Sequence, residues 1–593
     1  MSSSSAFAKV QRMTATTPDA RQRFELMSEG FRSSYITYDA LTRVVHAWAD
    51  AFPQFVRLQS IGRTAEGRDL WLLAIGMAPE GDGPAVWIDG NMHAVELAGS
   101  SVALAIAEDA LRMLVCPDEP MHDLPVHLRQ LLREGVTFYV LPRMCPDGAE
   151  HTLTVGGYVR SNPRDNRVGR NAPFWKMVDV DGDGVAVSMR KQDPSGDFVI
   201  SREFPNLMLP RTIDDEGPFY TVFPEGIIEH WDGFHIPSPD YLSDNETDMN
   251  RNFPYHWAPE PQQRGAGAFG ASEPESRAVC EFASKHPNIF AWLNLHCFGG
   301  VYIRPSGDKP DVKMDPRDLS VFKQIEPWAE KIGGYPMVSG YEEFLYEPEK
   351  PLRGDEVAFA HSQRGAIAFV CEIWDFWKQV GLNILRPFVR NYLNRTRDEA
   401  LKMAAWDRDH NQSRIFGPWR EFHHPQLGPV EIGGHDARFG IWNPPPEMLA
   451  DVCRRQSAFF LRVAALAPRL RWSDVRAKPI AEDVWEVSAV VENLGYLPTF
   501  ILSSSQQLVW NDGLRARIDV GEGMAIVGSE SDRFVGHLEG WSAVGVMVTS
   551  GFPRSGGTSR RALVRWVVRG KGSVTLRVGC PRTGSVETTL ELK

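Results

Sequence analysis

No two of this chain's cysteines stand in a Cys-x-x-Cys pair; the seven, at 116, 145, 280, 297, 371, 453 and 580, are scattered and odd in number. That pattern argues against a disulfide framework and suits a reducing compartment. No apolar run reaches membrane-spanning length, and Met1-Ser-Ser-Ser-Ser-Ala-Phe-Ala-Lys-Val-Gln-Arg lacks an apolar core of signal-peptide length. A soluble, cytoplasmic protein is therefore expected. Blocks of Lys and Arg are missing too. With 64 basic and 76 acidic residues the formal charge is −12, which speaks against nucleic acid or a membrane surface as partner. The chain does have length: 593 residues suffice for roughly three or four domains, or for one large α/β enzyme and an appendage.

The stretch Ile88-Asp-Gly-Asn-Met-His-Ala-Val-Glu-Leu-Ala-Gly-Ser-Ser carries the most chemistry. His93 and Glu96 sit three apart, between an apolar run that reads as a strand (Ala85 to Asp89) and one that reads as a helix (Leu97 to Ala107). An imidazole and a carboxylate on one turn suit zinc, and a catalytic site needs a third ligand and an open position for water. Alone the motif is weak, since a solvated His-x-x-Glu pair is common. Three later stretches end strands with further candidates. Ile289-Phe-Ala-Trp-Leu-Asn-Leu-His ends in His296, a third ligand. Ala366-Ile-Ala-Phe-Val-Cys-Glu ends in Glu372, a carboxylate at the carboxyl edge of a buried strand. Asp248-Met-Asn-Arg-Asn-Phe-Pro sets Asn250 beside Arg251.

At these residues, in this order, the chain resembles the zinc metallocarboxypeptidases, the family of carboxypeptidases A and B. It is read as a bacterial-type cytoplasmic member with a large insertion. The Ile61-Gly-Arg-Thr-Ala-Glu-Gly-Arg turn and the Cys145-Pro-Asp-Gly turn extend the likeness, with Cys145 where the family has Asn. The resemblance implies an α/β fold, a mixed twisted sheet flanked by helices, and one Zn2+ per chain held by His93, Glu96 and His296. Glu372 would be the general base and Arg160 the cation facing the oxyanion. Asp248 would fix the tautomer of His93 from behind. Asn250 and Arg251 would bind the carboxylate of a peptide or peptide-like substrate with a free C-terminus. Tyr346, with Tyr341 as second choice, falls near the family's mobile tyrosine; Gly354 and Asp355 fall near the position that sets side-chain preference, where Asp355 would favour a basic residue. Two departures stand out: Cys297-Phe298 replaces a frequent Ser-Tyr, and Val95 replaces an arginine next to Glu96. A nucleophilic Cys297 is the sharp alternative to an inert buried thiol.

Beyond the motifs the chain divides into an N-terminal arm (1–33), a catalytic domain (34–470) and a β-sandwich (471–593). The insertion, at about 161–247, is rich in Pro, Gly and aromatics and reads as an ordered rim of hairpins. Within it Asp179-Val-Asp-Gly-Asp-Gly imitates half a calcium loop, but the twelfth position is Arg190 where an EF-hand needs Glu, so a polar turn is the preferred reading. Pro387 to Ala405 and Pro446 to Leu470 read as helices. Short alternating runs such as Val484-Trp-Glu-Val-Ser-Ala-Val-Val point to the all-β sandwich, a structural or substrate-steering appendage. The function expected is hydrolysis of a C-terminal peptide bond. An amidase or deacylase acting on an acylated amino acid or a cell-wall peptide is the runner-up, and a catalytically silent peptide-binding module comes third.

Overall fold

The computed structural model describes residues 20–156, 158–163, 171–238, 247–347, 350–393, 395–543 and 556–593. An eight-stranded mixed sheet organises it. Its strands are β1 (Val56–Arg63), β2 (Asp69–Ile75), β3 (Ala85–Gly90), β4 (Thr137–Leu141), β5 (Ile289–Cys297), β6 (Val301–Arg304), β7 (Met337–Ser339) and β8 (Ile367–Ile373). In space they run β1-β2-β4-β3-β5-β8-β6-β7. The hairpin β1-β2 is antiparallel, while β4, β3, β5 and β8 are mutually parallel. The inner strands are buried along their lengths, as their near-continuous apolar sequences require of a sheet covered on both faces.

Alternation divides the two faces. Val86, Ile88, Leu293, Leu295, Phe369 and Cys371 face the helices Ala98–Val115 and Pro446–Ala464, whereas Trp87, Trp292, Ala368 and Val370 face the helix Glu356–Ser362. Asp89, Asn294, His296 and Glu372 share the second parity, so the chemistry-bearing side chains emerge on the Glu356–Ser362 side, at the carboxyl ends of β3, β5 and β8. Ligands of α/β sheets gather at such an edge.

Three segments depart from the sequence-based expectation. Residues 20–33 are no loose arm. Helix Ala20–Met27 carries Phe24 onto Phe52, Phe31 meets Trp48 edge-on, and Arg32 donates to Glu108 and Asp109 at 2.6 and 2.9 Å. Two buried rings and a paired cation outweigh the polar composition; the arm's first nineteen residues lie outside the described residues. The expected helix from Pro387 to Ala405 is divided into a 3-10 turn (Phe388–Tyr392) and a helix (Arg397–His410), because Thr396 and Glu399 form a capping box that starts a new helix. The helix from Pro446 ends at Ala464, and Leu470 already begins a strand.

The strands Ser188–Gln192, Phe198–Ile200, Met208–Pro210 and Tyr220–Pro224 join a distant hairpin, Phe416–His424 with Gly428–His435, in a second sheet of six. Arg190 pairs across it with Glu431 at 2.7 and 3.1 Å and lies over Trp419. Towards the C-terminus two four-stranded antiparallel sheets enclose Val487, Val491, Trp566 and Leu576. They dock on the eight-stranded sheet through Arg582, fully buried, which donates to the carbonyls of Pro287, Ile289 and Arg364, the second of these at the start of β5.

Candidate metal centre and cleft

Where β3 ends, the chain crosses the start of helix Ala98–Val115 so closely that a Cβ on Gly90 would stand 2.3 Å from the carbonyl oxygen of Gly99. The loop between them is braced from inside: Asn91 donates to the carbonyls of His93 and Ala94, and Asn443 accepts from the Ala98 N–H. This holds His93 and Glu96 inward, both 2% exposed. His296 arrives from β5. The Nδ1 of His93 lies 2.8 Å from Glu96 Oε1, the Nδ1 of His296 lies 2.9 Å from Glu96 Oε2, and the two Nδ1 atoms are 3.0 Å apart.

Protons decide what this cluster can hold. His93 Nε2 stands 3.0 Å from Asp248 Oδ1, an atom that can only accept, so the neutral ring can keep its hydrogen on Nε2 and offer the Nδ1 lone pair to a cation. His296 Nε2 stands 2.5 Å from Asn294 Oδ1. The Asn294 amide nitrogen is committed to Asp89 and Glu356, which fixes its oxygen as an acceptor and leaves His296 Nδ1 bare as well. Neutral rings in these tautomers would turn two imidazole lone pairs and a carboxylate towards one point. Desolvation would raise Glu96, but the two imidazoles overcome it and hold it at about 2. Burial disfavours imidazolium at both histidines; at His93 Glu96 and Asp248 outweigh burial and the charge of Arg160, so it ends above the ordinary range, while His296 ends below. The donor set, its geometry and its tautomers fit a divalent cation such as zinc.

Glu372 lies in register beside His296 on the adjacent parallel strand, so both project to the same face. Burial, then the charge of Glu96, pushes its carboxyl well above the usual range. Asp248 does double service: Oδ1 faces His93 and Oδ2 accepts from Arg160 Nε and Nη2 at 3.2 and 3.1 Å. Arg160 Nη1 is 3.6 Å from Glu96 Oε1, so the guanidinium reaches the ligand cluster itself. Asn250 Nδ2 is 3.5 Å from His296 Nε2, and Asn250 Oδ1 accepts from the Glu356 N–H. Arg251 follows, with Nη1 on the Asn250 carbonyl at 2.6 Å. The structure therefore brings His93, Glu96, Arg160, Asp248, Asn250, Arg251, His296 and Glu372 into one cleft.

Tyr346 is 60% exposed, and Tyr341 sits in the short helix Gly340–Phe344. Asp355 caps helix Glu356–Ser362, one oxygen accepting from the Ala358 N–H at 2.7 Å. Gly354 is packed against Arg251, where a Cβ would meet its carbonyl oxygen at 2.3 Å. Burial raises the thiols of Cys297 and Cys371 well above their ordinary value, the reverse of what a nucleophile needs. Asp147 accepts from Thr64 and from the Glu66 N–H, joining the two turns noted in the sequence.

Sequence reasoning missed the support beneath His296. Asn294 donates to Asp89 at 2.6 Å and to Glu356 at 3.1 Å, while Trp87 and Trp292 donate to the same two carboxylates. Burial lifts Asp89 to about 6 and Glu356 well above its usual range. Tyr392, near Glu372 with its hydroxyl on the Phe298 carbonyl, was missed too. Asn294, two residues before His296 on a strand of period two, was the one local signal available.

Residues 41–194 and 238–372 match the zinc carboxypeptidase family. The chain carries a zinc carboxypeptidase domain. The unmatched 195–237 lies inside the insertion, and residues 469–591 match a family described only as a domain of unknown function. Carboxypeptidase B of Astacus astacus is 28% identical over 122 residues, 21% of this chain and 36% of its own length. The inactive metallocarboxypeptidase ECM14 of Ajellomyces dermatitidis is 31% identical over 136 residues, 22% of this chain and 21% of its own. The chain thus spans about a third or less of these curated relatives. The crystal structure of thrombin activatable fibrinolysis inhibitor is 17% identical with a TM-score of 0.39, over 62% of this chain and 73% of that one. No helix among the described residues of the chain is long and apolar enough to cross a membrane.

Proposed function

We propose that the carboxypeptidase domain hydrolyses the C-terminal peptide bond of peptides or peptide-like substrates. The observation that carries this reading is the convergence of His93 Nδ1, His296 Nδ1 and Glu96, with Glu372 in register beside it. Zinc held by those three ligands would supply Lewis-acid polarisation of a water and of the scissile carbonyl. Glu372 takes a proton from the attacking water and passes it to the leaving amine nitrogen. Arg160, fixed by two hydrogen bonds to Asp248, turns its remaining edge to the oxygen that gains negative charge. Asn250 and Arg251 hold the terminal carboxylate, a planar fork against two oxygens. Tyr346 covers the substrate. Asp355, with one oxygen spent on its helix cap, has the other to offer a basic side chain. Seven scattered cysteines without Cys-x-x-Cys spacing support a cytoplasmic setting.

The test is direction of attack. Free-carboxylate peptides should be cut and their carboxy-amidated twins rejected by roughly 10²-fold or more, because the amide leaves a desolvated guanidinium unpaired. Arg251→Ala should slow the free acid and narrow that preference. Equal cleavage of both twins by the wild type would move the assignment to an amidase.

A further inference from the structure

A second cleft, of about 930 Å³, opens between the eight-stranded sheet and the C-terminal sheets. It is no part of the metal centre. It touches Pro287 and Asn288, which lead into β5, whereas His296 lies at that strand's other end, about 25 Å away at the usual rise per residue. Arg57 on β1 and Lys285 at the end of helix Pro274–Lys285 stand on one wall, and Arg515, Arg517 and Arg577 on the other. Five basic side chains thus line it against three acidic ones, Glu80, Asp82 and Asp532, in a chain whose formal charge is −12.

The arginines stand where strand pairing alone would not put them. Arg517 on strand Leu514–Val520 lies directly opposite Arg577 on strand Gly572–Cys580. Like charges so paired destabilise a sheet, and Arg515, two residues before Arg517, shares their face. Each has an acidic neighbour, but the contacts are partial. Arg515 and Arg517 donate from Nε alone, to Asp532 at 3.1 Å and Asp519 at 2.7 Å, while Arg577 Nη2 lies 2.5 Å from Glu587. Among the described residues the terminal amino groups of Arg515 and Arg517 meet no acceptor, and Lys285 has no ion-pair partner; Arg57 pairs with Glu80 at 2.7 Å. Arg582, next to the lining residue Pro581, adds a charge with no counterion. Its guanidinium is spent on three carbonyls and stacks on Trp510, and burial, then the charge of Arg364, pulls it down to about 9.

We infer that this cleft is a binding site for a small molecule bearing two phosphate groups. Guanidinium forks match the oxygens of a phosphate. One such group, set between Arg517 and Arg577, replaces their mutual repulsion with attraction to both, and the second meets Lys285 on the facing wall. A carboxylate carries no more charge than Asp532, Asp519 and Glu587 already supply, so the doubly charged phosphate is the group that competes with them. The cleft has the size of a small-molecule site. None of this depends on hydrolysis at the metal centre.

The test is titration calorimetry of the zinc-loaded full chain with fructose 1,6-bisphosphate as probe, against fructose and sulfate at equal ionic strength. The bisphosphate should bind at one site per chain, more weakly as salt is added, and the two controls should not. Arg517→Thr should lower the affinity about tenfold or more, and Lys285→Gln, on the other wall, should lower it severalfold. The melting temperature without ligand separates a binding role from a structural one: Arg517→Thr relieves the like-charge pair, so it should hold or rise. No binding by the wild type, or equal binding of sulfate, would overturn the inference. So would an affinity undiminished in both variants, whatever their melting temperatures.

Discussion

Among the described residues, two places bring three metal-capable side chains together with ligand atoms within 4.8 Å of one another: His93, Glu96 and His296 at the sheet edge, and Asp179, Asp181 and Asp183 in the insertion. The second set has more formal charge, yet five of its six carboxylate oxygens already accept hydrogen bonds. Asp179 accepts from the Gly182 and Gly184 N–H groups at 2.7 and 2.8 Å, Asp181 from Asp183, and Asp183 from Val185 and, at 3.3 Å, from Arg420. These are the bonds of a polar turn. The sheet-edge set is buried, and its hydrogens point outward to Asp248 and Asn294. Counting acids does not find a metal site; asking where each lone pair is spent does.

The sharpest way to break this contrast is to disable the chemistry while sparing the ligands. Glu372→Gln keeps the shape but cannot accept the water's proton, so turnover should fall by about 10² or more while zinc content is unchanged. Near-normal turnover would remove Glu372 from its role. Next in size comes the outer support. Asp248→Asn can present a donor to His93 Nε2 and loses the charge facing Arg160; zinc affinity, read by chelator competition, should weaken about 10- to 100-fold. The smallest effect is expected in the other triad. Asp181→Asn should leave zinc content unaltered and shift stability to denaturant by no more than about 0.5 kcal/mol, the usual range for surface substitutions. A loss of zinc there would make the insertion loop the metal site.

How much of this was legible before the structure follows from distance along the chain. His93, Glu96, His296 and Glu372 could be read because each stands at the end of an apolar run whose period announces a strand, and because their order repeats a known family's. The β1-β2 hairpin and the strands of the C-terminal sheets are local patterns too. What escaped depends on partners far away. Arg190 looked like a failed calcium ligand because Glu431, its partner 241 residues on, belongs to a hairpin with no strong alternation. Residues 20–33 looked loose because Phe52, Trp48 and Asp109 were needed to give their rings and cation a place. Asn294 looked like one more residue of a buried strand. Only the approach of Asp89 and Glu356 makes it the piece that fixes the hydrogen of His296.

That hydrogen placement is the root of the account, and crystallography at the zinc absorption edge tests it most directly. Crystals grown with one equivalent of zinc should give a single anomalous peak about 2.0–2.1 Å from the Nδ1 atoms of His93 and His296 and within bonding reach of Glu96. A peak at Asp179, Asp181 and Asp183 instead, or coordination through the Nε2 atoms, would contradict it.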